Sequence, residues 1–321
     1  MKTIYLTHPH TLNKDELEPT VMALGFFDGV HLGHQQVIKT AKETATKLGI
    51  KSAVMTFYPH PLVVLRKDKQ QVEYLTSMRD KESLIEELGI DTLYVVKFDE
   101  FFADLQPQQF VDEYIIGLHV KHVVAGFDYS YGRLGKGTME TLPFHSRDQF
   151  DQTVIGKVEY EDEKISSTRL RQLVQAGKVD KVPTILSRHY AVRGVVVDGD
   201  KRGRTIGFPT ANVLVEDEYL MPPLGVYAVK IKIRDKWYDG MCNIGFKPTF
   251  RDDLKKATVE VNVFDFNNDI YHEQVIVEWY TRIRSEKKFN GIHELIAQLQ
   301  EDKQQIQTYF QNSQECTCFF S

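Results

Sequence analysis

The sequence predicts an α/β protein of two domains, and three observations lead to this fold class. The first half of the 321-residue chain alternates apolar runs with amphipathic helical stretches, which is typical of a parallel sheet with helices on both faces. After about residue 183 the pattern changes to short runs rich in β-branched and aromatic residues, which favours a small antiparallel barrel or sandwich. The length also suits two domains. We therefore expect an N-terminal domain over residues 1–183 and a C-terminal domain over residues 184–321.

The predicted strands of the first half are apolar runs, and the predicted helices lie between them. The strands cover Val21–Phe27, Lys51–Phe57, Thr92–Phe98 and His122–Ala125. The helices cover Gly33–Leu48, Arg79–Leu88, Pro107–Gly117 and Thr168–Ala176. Sheets of this kind bind ligands at the carboxyl ends of their strands, so the loops after these strands are the expected site.

The second half is predicted to contain short strands separated by turn signals such as Asp198-Gly199-Asp200. The strands cover Ala191–Val197, Val226–Ile233, Trp237–Ile244, Ala257–Phe264 and Gln274–Tyr280. A final helix, about Gly291–Phe310, carries an apolar stripe at helical spacing.

Composition and charge narrow the function classes. Hydrophobic residues make up 42% of the chain and charged residues 26%, as in an ordinary globular protein. The net charge of −5 argues against a dedicated nucleic-acid-binding protein. Three cysteines suit a reducing cytoplasm, no signal peptide is visible, and no apolar run approaches the roughly 20 residues of a membrane helix. We therefore predict a cytoplasmic protein without nucleic-acid or membrane partners, and the sequence does not indicate its oligomeric state.

The segment GFFDGVHLGH, residues 25–34, is the most informative part of the chain. It joins a hydrophobic strand to a helix, and it places His31 and His34 on the first helical turn, where both can face one point. A helix N-terminus binds anions through its unpaired N–H groups and the positive end of its dipole. We interpret the segment as a cradle for nucleotide phosphates in a nucleotidyltransferase. The alternative is a pair of capping or surface histidines beside a tight turn.

Three further segments are predicted to line the same pocket. The loop around Pro59 and its aromatic neighbours could stack on a planar ring, although a merely rigid loop fits equally well. Asp128, after another strand, could hold a ribose or a base edge. The helix start KISSTRLR offers hydroxyl groups and arginines as a second anion site, and its alternative is a capped helix with solvated arginines.

The second half holds a different constellation, in the segment GDKRGRTIGFPTAN. Glycine N–H groups and basic side chains can wrap phosphates. Thr210 and Asn212 share one face of extended backbone, and both offer the hard oxygen ligands that Mg²⁺ prefers. Glu260 alternates with Val259 and Val261, and a carboxylate beside a metal–nucleotide site would be a general base for an alcohol. The alternatives are a basic surface hairpin and a solvent-facing strand glutamate.

Both halves resemble one known family. GFFDGVHLGH with KISSTRLR resembles the FMN adenylyltransferase module of prokaryotic bifunctional riboflavin kinase/FAD synthetases, which are relatives of the HxGH nucleotidyltransferases. GDKRGRTIGFPTAN, NIGFKPTF, Glu260 and RIRSEKKF resemble the riboflavin kinase module. The resemblance implies a Rossmann-like first domain, and a six-stranded antiparallel barrel with a C-terminal helix as the second. It also implies Mg²⁺ as cofactor, and ATP, riboflavin, FMN and FAD as substrates or products.

The resemblance further implies residue roles. His31 and His34 would contact the ATP phosphates, Thr210 and Asn212 would ligate Mg²⁺, and Glu260 would deprotonate the riboflavin 5′-hydroxyl. The other residues expected to bind ATP or its phosphates are Gly25, Phe27, Asp28, Gly29, Gly33, Asp128, Ser167, Thr168, Arg171, Gly199, Lys201, Gly203, Arg204 and Gly207. The residues expected to bind flavin are Pro59, His60, Tyr129, Arg284 and Phe289.

Two positions depart from the family pattern. Asn262 stands where the family often has His, and His272 stands where it usually has Gly, which puts the local turn geometry in question.

Two other functions stay open. One rival function is an HxGH adenylyl- or cytidylyltransferase that acts on a different phosphate ester. The other is a non-catalytic flavin-sensing or RNA-binding regulator, against which the acidic balance and the retained His31, His34, Thr210 and Glu260 argue.

Overall fold

The computed structural model describes residues 1–65, 72–199, 202–215, 218–246 and 257–317. The chain divides into two compact units, Met1–Ser167 and Thr168–Ser321. The domain boundary expected near residue 183 stays a prediction.

The first unit is built on a six-stranded parallel sheet. Its strands are β1 Lys2–Leu6, β2 Thr20–Leu24, β3 Lys51–Tyr58, β4 Thr92–Lys97, β5 Val120–Gly126 and β6 Asp151–Ile155. They lie in the order β1-β4-β3-β2-β5-β6, and each neighbouring pair is parallel. The strand order reverses at β2, which lies between β3 and β5, and ligands of such sheets bind at this kind of switch point.

Helices cover both faces of this sheet, as predicted. The two longer helices are α1 Leu32–Leu48 and α2 Met78–Glu87. The shorter helical segments are Lys14–Glu16, Pro61–Leu65, Glu100–Ala103, Pro107–Phe110, Val111–Ile116, Arg133–Gly135 and Leu142–Ser146. Successive residues of β2 point into different cores, since Val21 packs with α1 whereas Met22 packs with the 107–116 segment. Two hairpins pair Ser130–Tyr131 with Gly137–Thr138, and Glu159–Tyr160 with Glu163–Lys164.

The second unit is a closed antiparallel barrel of six strands, which decides between the predicted barrel and sandwich. Its strands are β7 Tyr190–Val197, β8 Ala211–Val215, β9 Gly225–Ile233, β10 Lys236–Phe246, β11 Ala257–Val263 and β12 Gln274–Ser285. They close in the order β7-β8-β11-β10-β9-β12. The helices of this part are α3 Ser167–Gln175, the short Val179–Lys181, Pro183–Leu186 and Arg202–Thr205, and the closing α4 Ile292–Thr317.

The two faces of the barrel wall have different roles. Tyr190, Tyr227 and Trp279 are fully buried in the barrel interior. On the outer face, Ile306 and Phe310 of α4 pack against apolar side chains of β9 and β10. The polar residues proposed for chemistry lie on this outer face, because their strand neighbours Val259 and Val261 point inward.

Candidate functional sites in the two units

The first site begins where β2 ends and α1 starts. His31 is the N-cap of α1, and its Nδ1 accepts a hydrogen bond from the His34 backbone N–H at 3.2 Å. Because Nδ1 is an acceptor, a neutral His31 carries its ring proton on Nε2, which makes that atom a donor. The rings of His31 and His34 stack with centroids 3.5 Å apart and an interplanar angle of 16°. Both imidazoles therefore lie together at a helix N-terminus, as the spacing predicted.

The loop before His31 has an unusual backbone. Phe27, Gly29 and Val30 have φ values of 54°, 87° and 41°. A β-branched residue rarely adopts the left-handed region, and such strain persists where the surroundings enforce it. Here the enforcement is burial, because Phe27 and Val30 are each 1% exposed.

Two glycines allow aromatic rings to pack closely in this loop. A Cβ atom at Gly25 would lie 2.7 Å from the Phe27 ring, and one at Gly33 would lie 3.2 Å from Cε1 of His31. The Phe27 ring in turn meets the His34 ring edge to face at 5.3 Å. The absence of a side chain at these two glycines therefore leaves room for the rings, and the closer contact is at Gly25.

Asp28 holds the loop to the rest of the unit. Its buried carboxylate accepts backbone N–H groups from Leu75 at 2.9 Å and Thr76 at 3.3 Å. Its carbonyl oxygen accepts a hydrogen bond from the Ser167 hydroxyl at 2.9 Å. The side chains of Asp28 and Phe27, both predicted to bind nucleotide, thus make framework contacts inside the protein.

An aromatic cluster lies beside this loop and consists of Phe26, Tyr58, His60 and Tyr74. Phe26 meets His60 edge to face at 4.3 Å, and Tyr58 stacks with Tyr74 at 6.1 Å. The His60 N–H donates to the Tyr74 hydroxyl at 3.0 Å. His60 and the adjacent Pro59 were predicted as flavin-binding residues. Phe26 and Tyr74 were not, and no motif in the sequence marks Tyr74.

The loop after β5 carries Asp128, which was predicted to contact the nucleotide. The exposed Asp128 carboxylate accepts a hydrogen bond from Lys164 Nζ at 2.7 Å. The same Nζ lies 4.8 Å from the centre of the Phe127 ring. Tyr129 stacks with Tyr131 at 6.3 Å. Asp128 therefore forms an ion pair with Lys164 at the surface.

The residues of the predicted second anion site lie on the first turn of α3. Ser167 belongs to the first unit, and Thr168 and Arg171 belong to the second. Thr168 is exposed and Arg171 is partly buried, while Leu170 of the same helix is fully buried.

The site in the second unit is a row of polar residues across three strands. Glu260 of β11 lies directly opposite Asn212 of β8 on one side and opposite Asn243 of β10 on the other. Directly opposed residues share a face, so these three side chains form a polar row on the outer surface of the barrel. Asn243 was not predicted as a site residue, because only the strand register brings it beside Glu260.

The segment that leads into this row is held close to it. A Cβ atom at Gly199 would lie 2.5 Å from Cγ of Asn212, so the Asn212 amide packs against the Gly199 backbone. Asn262, which is 5% exposed, donates from Nδ2 to the Pro209 carbonyl at 2.6 Å. This bond fixes the residue that precedes Thr210, and it gives Asn262 a role that the sequence did not reveal.

The remaining predicted phosphate-binding residues are only partly described. Arg204 and Thr210 are exposed, and Gly207 has a φ of 83°. The Phe208 N–H donates to the Gly203 carbonyl at 2.8 Å, which closes the turn. Lys201 and the segment 247–250 lie outside the described residues.

Arg284, a predicted flavin-binding residue, anchors α4. Its Nε donates to both carboxylate oxygens of Asp302, at 3.0 and 2.9 Å, and the Asp302 side chain is 1% exposed. The guanidinium lies 5.7 Å from the centre of the Phe289 ring. Arg284 thus joins the barrel, α4 and the predicted flavin-binding Phe289.

His272 adopts a φ of 64°, in the left-handed region that favours glycine. Its backbone N–H still donates to the Val196 carbonyl at 2.8 Å. The turn therefore forms although glycine is absent.

Two residues of the polar row, together with Thr210, have side chains whose chemistry fits Mg²⁺. The described ranges contain no group of three or more His, Cys, Asp or Glu side chains able to hold a metal ion. Thr210, Asn212 and Glu260 offer hydroxyl, amide and carboxylate oxygens. Mg²⁺ is commonly held by one or two protein oxygens together with substrate phosphates and water, so a small set of oxygen ligands suits it.

Comparison with known proteins decides the family. Models for FAD synthetase and riboflavin kinase match residues 13–169 and 186–310. A bifunctional riboflavin kinase/FMN adenylyltransferase of Bacillus subtilis is 53% identical over 97% of this chain and 99% of its own length. The chain belongs to this family. Its Listeria monocytogenes relative of the same name is 49% identical over 97% of this chain and 98% of that protein.

A solved structure has a similar fold under a different name. The crystal structure of a macrolide-efflux protein from Streptococcus pneumoniae matches this member of the flavin-enzyme family with a TM-score of 0.86 and 37% identity. The match covers 95% of this chain and 98% of that one. Within the described ranges, no helix is both long and apolar enough to cross a membrane.

Proposed function

We propose that this chain makes FAD from riboflavin in two steps. In the first, ATP transfers its γ-phosphoryl group to the riboflavin 5′-hydroxyl, which gives FMN and ADP. In the second, the FMN phosphate attacks the α-phosphorus of another ATP, which gives FAD and pyrophosphate. The observation that carries the proposal is that one chain of this family holds both a histidine-capped helix N-terminus and a carboxylate within a polar row.

For adenylyl transfer, we assign positioning and charge stabilisation to the first site. The FMN phosphate is itself the nucleophile, so no protein nucleophile is needed. His31 Nε2–H and the N-terminus of α1 would donate to phosphate oxygens as negative charge builds up, with His34 beside them. Gly29 would allow the tight turn of the loop beside the nucleotide, and Gly25 and Gly33 would leave room for the rings of Phe27 and His31 that shape it. The proposal gives Phe27 and Asp28 the task of shaping this loop.

We also propose roles in adenylyl transfer for the other residues predicted in the first site. We assign the leaving pyrophosphate to Ser167, Thr168 and Arg171. For Ser167 alone, support comes from its hydroxyl hydrogen bond to the Asp28 carbonyl of the same unit. The flavin ring would stack on the aromatic cluster beside Pro59. Asp128 and Tyr129 would contact the nucleotide and the flavin, respectively.

For riboflavin phosphorylation, we assign the general base to Glu260. Its carboxylate would accept the proton of the 5′-hydroxyl as that oxygen attacks the γ-phosphorus. Thr210 and Asn212 would hold Mg²⁺, which would neutralise phosphate charge. Gly199, Gly203, Gly207, Arg204 and Lys201 would surround the nucleotide phosphates, and Arg284 with Phe289 would hold the flavin.

The proposal includes the place of each reaction. We assign adenylyl transfer to residues 1–183 and phosphorylation to residues 184–321. The three cysteines and the use of ATP support a cytoplasmic location, with ATP, riboflavin and FMN as the small-molecule partners.

The test is a product assay with the full chain. Riboflavin and Mg²⁺-ATP are incubated with the protein, and products are separated by chromatography and identified by mass. We expect FMN to form first and FAD second. Parallel reactions contain pantetheine phosphate or nicotinate mononucleotide. Adenylylation of one of these in place of FMN would favour the rival nucleotidyltransferase, and flavin binding without turnover would favour a regulator.

A further inference from the structure

Lys81 of α2 is a buried lysine that no motif marks. Its side chain is 1% exposed, and its Nζ donates to the Phe26 carbonyl at 2.8 Å. The same Nζ lies 3.4 Å from the Thr56 hydroxyl and 4.3 Å from the centre of the Phe26 ring. A buried ammonium is costly unless polar partners compensate it, so this contact with the site loop requires an explanation.

The surroundings of Lys81 fix the loop from two directions. The Thr56 hydroxyl also donates to the Phe26 carbonyl, at 2.8 Å, so that oxygen receives two hydrogen bonds. Asp28, two residues further along, is the carboxylate whose charge acts on Lys81. Burial nevertheless outweighs this attraction and lowers the pKa of Lys81 to about 8.

Lys81 is held by a capped helix turn. Lys81 lies on the first turn of α2, where the Ser77 hydroxyl caps the helix by accepting the Asp80 N–H at 3.1 Å. Its backbone N–H donates to the Ser77 carbonyl at 2.9 Å. The ammonium is therefore presented to the Phe26 carbonyl from a fixed position.

Phe26 connects the two halves of the first site. Its ring belongs to the aromatic cluster, while its backbone enters the strained turn that ends at His31. We propose that Lys81 is a positioning residue for adenylyl transfer, which holds the Phe26 carbonyl so that the flavin-stacking ring and the phosphate cradle keep their relative places. The inference rests on the proposed function of the first site.

The test compares two lysine-to-methionine variants of the full chain. Lys81→Met keeps the length of the side chain and removes its charge. We expect kcat/KM for supplied FMN to fall roughly 10- to 100-fold, because charge-assisted hydrogen bonds are among the strong ones. A raised FMN dissociation constant, measured by flavin fluorescence, should accompany it, and riboflavin phosphorylation should stay within about twofold of wild type. Lys42→Met, which removes a partly exposed ion pair with Asp91, is the matched control and should change neither activity.

A double variant separates positioning from mere folding. Lys81→Met removes a positive charge that acts on the Asp28 carboxylate, so Lys81→Met/Asp28→Asn should recover part of the lost thermal stability. Positioning predicts that the double variant still adenylylates FMN about tenfold more slowly than Asp28→Asn alone. Equal rates in these two variants, or an unchanged rate in Lys81→Met, would overturn the inference and leave the proposed function intact. Absence of adenylylation by the wild type would overturn both.

Discussion

The two proposed phosphate-binding sites are built from different parts of the protein. In the first, the expected phosphate cradle is one continuous segment, residues 25–34, in which a helix N-terminus and its histidine cap are fixed by buried neighbours. The second comes from three strands and a preceding turn, and its polar row exists only through strand register. The first site therefore depends on backbone geometry and the second on side-chain placement. Small changes should affect them unequally.

Among substitutions that act through local packing, the largest effect is expected for Gly199→Ala in the second site. The new methyl group would overlap the Asn212 amide and displace it from the polar row. Misplacing an oxygen ligand or its support typically costs 10- to 100-fold, and we expect a fall of about 100-fold in riboflavin phosphorylation. Steady-state kinetics with riboflavin, and separately with supplied FMN, measure the two reactions. Wild-type phosphorylation in this variant would show that Asn212 is not held as described.

A pH dependence should mark the first unit. Burial lowers the pKa of Lys81 from 10.5 to about 8, so between these values the folded protein binds fewer protons than the unfolded chain. The free energy of unfolding should therefore rise with pH in this window, while the full cost of the buried charge is present below pH 8. The difference in free energy of unfolding between the wild type and Lys81→Met should shift by roughly 2 kcal/mol in favour of the wild type between pH 7.5 and 9.5. Urea unfolding at both pH values measures the difference, and a constant difference would contradict the burial of a charged amine.

Asn262→Leu should weaken the second site by a moderate amount. The substitution keeps a side chain of similar size and removes the donor to the Pro209 carbonyl. We expect KM for ATP in phosphorylation to rise about tenfold, the size typical of one lost buried hydrogen bond. Adenylylation of supplied FMN is the internal control. An unchanged KM would mean that the turn before Thr210 keeps its shape without this bond.

His272→Gly should stabilise the second unit. The position has a φ of 64° and an exposed side chain, so glycine relieves backbone strain and loses little packing. Relief of the strain should raise the free energy of unfolding by about 1 kcal/mol, and the greater freedom of glycine in the unfolded chain should offset part of this gain. Thermal unfolding measures it, with His293→Gly, in helix α4, expected to destabilise instead.

The smallest effect is expected for Gly33→Ala. Its methyl group would lie 3.2 Å from Cε1 of His31, a distance that a small shift of the ring relieves. Adenylyl transfer should slow by about two- to fivefold, while alanine favours the helix by up to roughly 1 kcal/mol. Kinetics and thermal unfolding of one preparation test both. A loss as large as that of Gly199→Ala would remove the contrast between the two sites.

The spacing in the sequence correctly predicted that the two histidines of the first segment lie together. His31 and His34 lie together because helical spacing and a strand–turn–helix pattern determine their places. Tyr74 and Lys81 could not be found in this way, since they reach the loop from distant parts of the chain. Strand β6 was missed because its start, Asp151-Gln152-Thr153, is polar, as suits an edge strand.

The second site could be predicted from the sequence only in part. Alternation correctly placed Val259 and Val261 on the face opposite Glu260. It could not place Asn243 beside Glu260 or Asn262 against Pro209, because register and loop packing are tertiary properties. The departure at His272 correctly indicated an unusual turn, and its left-handed backbone explains why glycine suits the position.

The most direct test of one reaction at each site combines one substitution in each site with assays of both reactions. His31→Asn keeps an N-cap acceptor and removes the imidazole, and Glu260→Gln keeps the shape of the side chain and removes the base. We expect His31→Asn to make FMN at the wild-type rate and FAD about 100-fold more slowly. We expect Glu260→Gln to convert supplied FMN to FAD normally and to make FMN at least about 100-fold more slowly. Equal loss of both reactions in either variant would contradict the assignment of one reaction to each site.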